Sequence, residues 1–225
     1  MSQEQWTEVD RYITDHMVAP DAELDAALEA SAKAGLPAIN VAPNQGKLLM
    51  LLARMHGAKR ILEVGTLGGY STLWLARALP PEGRIITLEA VAKHAEVARE
   101  NIARAGLSGV VEVRLGNAVD TLAQLEKEGQ APFDLTFIDA DKVRTAEYFA
   151  WALKLSRKGS VILTDNVVRK GGIVDADSTD ANIQGMRRFY EAVAAEARVS
   201  ATAVQTVGSK GYDGFSLALV TGDPK

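Results

Sequence analysis

The chain of 225 residues contains no cysteine. That removes disulfides, cysteine-ligated zinc, iron–sulfur clusters and thiol nucleophiles together. It agrees with a reducing, cytoplasmic setting. There is no excess of basic residues either: 25 Lys and Arg stand against 29 Asp and Glu, a formal net charge of −4. Nucleic-acid binding rests on clustered cations that displace counterions from phosphates, so this balance argues against it. No apolar run approaches the roughly 20 residues that span a bilayer; the densest, Leu48 to Ala53, is far shorter. The opening segment carries Glu4, Glu8 and Asp10 and does not read as a secretory signal, which wants a basic start and an apolar centre. What remains is ordinary for a globular protein, with 47% hydrophobic and 24% charged residues, close to the average domain. A chain of this length can bury most of its surface without a covalent or metal staple.

Periodicity divides the chain into two regions. Trp6, Val9, Ile13 and Met17 recur at helical spacing, and Pro20 ends that helix. A second helix is predicted from Asp21 to Lys33, closed by Gly35 and Pro37, then a short extended piece at Ile39 to Ala42. A third starts at Pro43 and ends near Gly57, with Leu48, Leu49, Leu52 and Met55 expected on its inner side. From Arg60 onward short β-rich runs alternate with helices. Strands are predicted at Arg60–Val64, Arg84–Leu88, Val110–Leu115, Leu135–Ile138 and Ser160–Thr164, with helices at Tyr70–Leu79, Val91–Ala105, Ala118–Lys127 and Ala146–Leu155. This alternation predicts an α/β fold, a parallel sheet covered on both faces. After a loop from Asn166 to about Thr179 and a helix near Ile183 to Ala195, two strands, Val199–Thr206 and Phe215–Val220, lie too close for a crossover. They are expected as an antiparallel hairpin. Residues 1–57 read as a helical extension on an α/β core over 58–225, within one domain.

The first strand runs into Glu63-Val64-Gly65-Thr66-Leu67-Gly68-Gly69-Tyr70-Ser71. Ligands of parallel sheets bind beyond the carboxyl ends of the strands, and glycines there let a ligand approach the backbone. The spacing is neither Gly-x-Gly-x-x-Gly nor a P-loop, so the pyrophosphate signal is poor. The next strand ends at Glu89, placed to accept bonds from both hydroxyls of a ribose. A nucleoside with little phosphate suits S-adenosylmethionine. The fourth strand ends in Asp139-Ala140-Asp141-Lys142 and the fifth in Asp165-Asn166, at the same rim. Asp139, Asp165 and Asn166 supply two carboxylates and an amide oxygen, a donor set for Mg²⁺, Ca²⁺ or Mn²⁺ rather than zinc. Lys142 is close enough to serve the same pocket.

These residues, with Gly116-Asn117-Ala118, resemble the cation-dependent class I O-methyltransferases, the caffeoyl-CoA and catechol O-methyltransferase group. The likeness runs from about Ile39 to Asp213-Gly214-Phe215. The resemblance implies a Rossmann-like fold with a mostly parallel seven-stranded sheet, an antiparallel last strand and N-terminal helices. It implies S-adenosylmethionine held by the Val41 backbone, Glu63, Gly65, Thr66, Ser71, Glu89, Ala118 and Asp139. It implies a divalent cation on Asp139, Asp165 and Asn166, with Mg²⁺ first in line, and a homodimer whose N-terminal helices shape the substrate entrance. Methyl transfer would go to a phenolic oxygen of a small molecule, one of two vicinal hydroxyls, with Lys142 and Asp139 in the chemistry.

The chain departs from the pattern in places. Asn117 stands where Asp is common, and Thr145 where Tyr is frequent. Ala140 and Asp141 replace the His-Trp pair of the animal catechol enzymes, and Ser216 replaces their Glu, so the bacterial and plant-like branch fits better. His16, His56 and His94 share no common spacing and read as surface or satisfied histidines. Trp74 and Trp151 read as core, and Trp6 as a dimer contact. Arg169 and Lys170 fall in the loop expected to cover the substrate, where a solvated basic turn competes with attraction of an acidic acceptor. Two rival functions use the same residues. An NAD-dependent oxidoreductase is disfavoured by the loop spacing and the lack of a Tyr-x-x-x-Lys pair. An S-adenosylmethionine sensor without turnover would have no use for Asp139, Lys142, Asp165 and Asn166 together.

Overall fold

Caps and breakers set the first elements of the structure, a computed structural model that describes residues 2–222. The Ser2 hydroxyl caps α1 (Gln3–Met17), Asp21 caps α2 (Ala22–Lys33) by accepting from the Leu24 N–H, and Pro43 opens α3 (Pro43–His56). Then follow β1 (Arg60–Val64), α4 (Tyr70–Ala76), β2 (Arg84–Glu89), α5 (Ala92–Arg104), β3 (Val111–Leu115), α6 (Ala118–Lys127), β4 (Phe133–Ile138), α7 (Thr145–Lys154), β5 (Ser156–Asp165), α8 (Ala181–Ala195), β6 (Val199–Gly208) and β7 (Gly211–Val220). Short 3-10 segments at Lys142–Arg144 and Arg169–Val174 follow β4 and β5. The sheet order is β3-β2-β1-β4-β5-β7-β6. β1 to β5 are parallel, and β7 runs antiparallel to both β5 and β6. The parallel sheet and the hairpin are those the pattern predicts, and the seven-stranded Rossmann-like arrangement with its antiparallel last strand is the one the resemblance implies.

The sequence places most elements within a few residues, and the exceptions have physical causes. β4 begins at Phe133 and β5 at Ser156, earlier than predicted. Asp134 hides the start of β4, because a carboxylate breaks the apolar run. Its Oδ2 accepts the Lys59 and Arg60 N–H groups at 2.9 and 3.0 Å, and Arg157 pairs with Oδ1 at 2.6 Å. Ile39 to Ala42 pairs with no strand. On α3 Leu49 is buried with Gly46 and Ala53 and Leu52 packs against the core, as expected, but Leu48 and Met55 are 36% and 82% exposed. A stripe broad enough to hold both sets does not say which half turns inward. In α1 no residue is buried, and Val9, Ile13 and Met17 are exposed. Polar contacts hold that helix instead: Asp10 accepts from Asn44 Nδ2 at 2.9 Å and from the Ser209 N–H at 2.7 Å.

Apolar side chains pack on both faces of the sheet. One cluster joins Leu122, Leu125, Phe149, Met186 and Phe189, with Phe149 and Phe189 edge to face at 5.7 Å. The other joins Leu24, Leu49, Leu73, Trp74 and Ile102. Trp74 is core, as expected, and Trp151 is partly buried with the Lys154 ammonium 4.8 Å from its ring centroid. No helix among the described residues is long and apolar enough to cross a membrane.

One close approach ties this packing to the rim. A Cβ at Gly185 in α8 would lie 2.1 Å from the Lys142 carbonyl oxygen and 2.7 Å from the Val143 Cα. Both are backbone atoms, so only glycine lets α8 press on the segment that carries Lys142. Gly185→Ala is expected to cost about 1–3 kcal/mol, typical of overpacking. Differential scanning calorimetry should show this as a lowered Tm.

Candidate active site

The four central strands β2, β1, β4 and β5 end at one rim, and the ladder continues past them. The Gly65 N–H donates to the Leu88 carbonyl at 3.0 Å, and the Asp139 N–H donates to the Val64 carbonyl at 2.8 Å. Gly65 has φ 104°, and a Cβ there would stand 2.1 Å from the Asp139 carbonyl oxygen. The bare backbone therefore lets the glycine loop and Asp139 lie against each other. Above them opens a cavity of about 790 Å³, within the usual size of a small-molecule site. Val41, Gly65, Thr66, Ser71, Glu89, Ala118, Asp139, Lys142 and Asn166 all line it. Sequence reasoning named each of them from separate segments.

Glu63 and Asp165 behave differently. Glu63 is fully buried and is not on the cavity wall. Its Oε1 accepts from Ser71 Oγ at 2.6 Å, and its Oε2 accepts from Thr72 and Thr87 hydroxyls at 2.5 and 2.6 Å. It thus fixes the start of α4 and acts on the cavity through Ser71. Glu89 is also committed in part. Its Oε2 accepts the Leu67 N–H at 2.8 Å and its Oε1 the Val91 N–H at 2.9 Å. These bonds brace the glycine loop while leaving lone pairs for a ligand. His94, read from sequence as a surface or satisfied residue, lines the cavity with Nδ1 3.5 Å from Glu89. Asn117 caps α6, accepting the Val119 N–H at 2.9 Å, so the amide keeps the capping role of an Asp without its charge.

At the other end Lys142 is buried, and its Nζ donates to Asp139 Oδ1 at 2.7 Å. Asp165 is 6% exposed, behind the wall. Its Oδ1 accepts the Asn166 N–H at 2.8 Å and its Oδ2 accepts from Gln45 Nε2 at 2.8 Å. Burial, then the nearby negative charge of Asp139, pushes the Asp165 carboxyl up to about 7. Two carboxylates close enough to repel, beside the Asn166 amide, form an oxygen-donor set in which a dication would relieve the repulsion. The residues present fit such an ion. Gln45 was not legible in sequence, because it sits on a helix remote from β5 with no local signal.

Of the two loop cations, Arg169 lines the cavity and Lys170 is exposed away from it. On the wall Asp141 accepts from the Tyr148 hydroxyl at 2.5 Å and pairs with Arg144 at 3.5 Å. His16 is satisfied as expected, 2.7 Å from the Tyr12 carbonyl.

Complete desolvation outweighs the three hydroxyl donors at Glu63, and its carboxyl is pushed from 4.5 up to about 7. A carboxyl raised by folding favours the native state below its unfolded value, and that contribution is lost as pH rises through the folded one. Melts between pH 4.5 and 8 should therefore show a fall in stability of a few kcal/mol from this group. Glu63→Gln is expected to flatten part of that fall, leaving the share from Asp165.

The sequence profile of the O-methyltransferase family matches residues 15–219. A catechol O-methyltransferase of Niastella koreensis is 54% identical over 98% of this chain and all of its own length. One from Mycobacterium tuberculosis is 52% identical over 95% of each. Among solved structures, an O-methyltransferase from Bacillus cereus in complex with SAH superposes with a TM-score of 0.97 at 58% identity, covering 98% of this chain and 100% of that one. An O-methyltransferase from Streptomyces achromogenes, involved in tomaymycin synthesis and bound to SAM, gives 0.95 at 52% identity over 99% and 100%. With a match along most of its length and relatives more than half identical to it, the chain belongs to the O-methyltransferase family.

Proposed function

We propose that the protein transfers a methyl group from S-adenosylmethionine to a phenolic oxygen of a small molecule bearing two vicinal hydroxyls, with the help of a divalent cation. The observation that carries this is the convergence of Asp139, Lys142 and Asn166 with Glu89 and the glycine loop on one cavity, Asp165 directly behind.

Each residue has a task in this reading. Glu89 accepts the ribose hydroxyls with the lone pairs left by Leu67 and Val91. Gly65, Thr66, Ser71, Ala118 and the Val41 backbone shape the pocket of the donor, whose sulfonium carries the methyl group. Glu63 keeps Ser71 in place. Asp139, Asp165 and Asn166 would hold the cation, Mg²⁺ first and Ca²⁺ or Mn²⁺ by the same donor chemistry, which favours the ionised form of a bound phenol. Lys142, tethered to Asp139, takes the phenolic proton when it is the neutral amine, or as the ammonium stabilises the oxygen anion as it forms. The walls hold donor and acceptor in line, a positioning gain worth roughly 7–11 kcal/mol in well-oriented reactions. The homodimer belongs to the same proposal. Its support is the unburied apolar side of α1 and α3, where Tyr12, Met17 and Met55 are 66%, 67% and 82% exposed. Light scattering should give twice the chain mass.

Two substitutions test the chemistry against a catechol panel run with and without Mg²⁺. Asp165→Ala should reduce metal-dependent turnover on the order of a hundredfold or more, with S-adenosylmethionine affinity by calorimetry changed little. Lys142→Met should lower kcat by about 10²–10⁴, again with little loss of donor affinity. Full activity in excess EDTA overturns the cation's role, and an unchanged kcat removes Lys142 from the reaction.

A further inference from the structure

The charges on the cavity wall are unevenly paired. Asp139 is paired with Lys142, and Asp141 with Arg144, and all four residues line the cavity. Glu89 stands with His94 at the end assigned to the donor's ribose. Arg169 is different: it lines the cavity, whereas its ion-pair partner Asp213 does not. The Asp213 Oδ1 is committed to two backbone groups, accepting the Val168 and Arg169 N–H at 2.9 Å each. Its Oδ2 lies 3.7 Å from the Arg169 guanidinium, too far for a hydrogen bond. Asp180, which also feels the charge of Arg169, is not on the wall either. Arg169 thus brings a cation to the cavity wall while its counter-charge is off that wall and makes no hydrogen bond to the guanidinium.

The position is built. Val167 and Val168 are buried, and Asp213 in β7 holds the turn through the two N–H groups. Arg169 takes φ 53°, a conformation that is costly for a side chain of this kind and is paid for by those bonds. Arg169 follows Asn166 by three residues, so it lies within roughly 11 Å of it along the chain. Asp213, which holds the Arg169 N–H, belongs to β7, and β7 lies beyond β5 from the strand that carries Glu89; the body of an acceptor would extend toward that side once its hydroxyls reach Asn166 and Lys142.

Resting on the diol reading above, we propose that Arg169 selects acceptors carrying a negatively charged group, a carboxylate above all, on the ring opposite the reacting hydroxyls. A guanidinium meets a carboxylate in a planar, two-bonded geometry. The same cation disfavours a protonated amine at that place.

The experiment compares three diols of one shape: 3,4-dihydroxybenzoate, catechol and 3,4-dihydroxybenzylamine. The native enzyme is expected to show a kcat/KM for the carboxylate on the order of tenfold above that for catechol, as a charge-assisted hydrogen bond would give, with the amine lowest. Asn tolerates the φ of this position, so Arg169→Asn keeps the turn. It should reduce the carboxylate-to-catechol ratio about tenfold, chiefly through KM, and Arg169→Lys should restore part of it. Equal kcat/KM for the carboxylate and the amine in the native enzyme overturns the proposal. So does a loss in Arg169→Asn that falls equally on all three acceptors, which marks a structural turn. Methyl transfer to none of the three overturns the diol reading itself, and this proposal with it.

Discussion

The parallel register of β2, β1, β4 and β5 is the constraint on which the site depends. Parallel strands present their carboxyl ends to one side, and their ladder does not stop at the last paired residue. The Gly65 and Asp139 N–H groups still find carbonyls on the neighbouring strand. Residues far apart in the chain are therefore set at one level by backbone hydrogen bonds, before any side chain contributes. A slip of one residue in β4 would send Asp139 to the other face of the sheet. The absence of a Cβ at Gly65 completes the arrangement, since the loop could not otherwise rest on the Asp139 backbone.

On that frame the buried acids divide the labour. Glu63 spends both oxygens on the hydroxyls of Ser71, Thr72 and Thr87 and stiffens the joint between β1 and α4. Glu89 braces the loop from the next strand and still faces the cavity. Asp165 is held from two sides, by Gln45 of α3 and by the Asn166 N–H, and sits near Asp139 despite the repulsion between them. Carboxylates confined in this way are costly to bury and so mark a place where a positive partner is wanted. The N-terminal helices are not an inert appendage: Gln45 reaches the Asp165 carboxylate, and Val41 forms part of the wall.

Much of this was legible in the residue pattern. The alternation of β-rich runs and helices beyond Arg60 announced the sheet, and the glycine spacing near β7 announced the hairpin. The motifs at the ends of β1, β2, β4 and β5 pointed to one rim, and the family resemblance added Val41, Ser71 and Ala118; residues from both sources line one cavity. What failed had local reasons. Asp134 disguised the start of β4 because its partners, the N–H groups of Lys59 and Arg60, come from another strand's approach. The apolar face of α1 was legible as a helix face, but the pattern does not say what covers it, and Val9, Ile13 and Met17 are exposed among the described residues. His94, read as surface or satisfied, is satisfied by Glu89, but its place on the cavity wall was not legible because the turn into α5 alone brings the two together.

By itself the sequence determined the order of elements, the rim to which each motif is carried, and the chemical type of every group there. Those properties are local: hydrophobic period, capping residues, glycine, charge. Only the tertiary structure decided which acids reach the cavity and which stand behind it. It withdrew Glu63 into the sheet, tied Asp165 to Gln45, and left Arg169 on the cavity wall with Asp213 off it. Burial and pairing depend on what other segments bring to the same point in space, and no single stretch of chain encodes that.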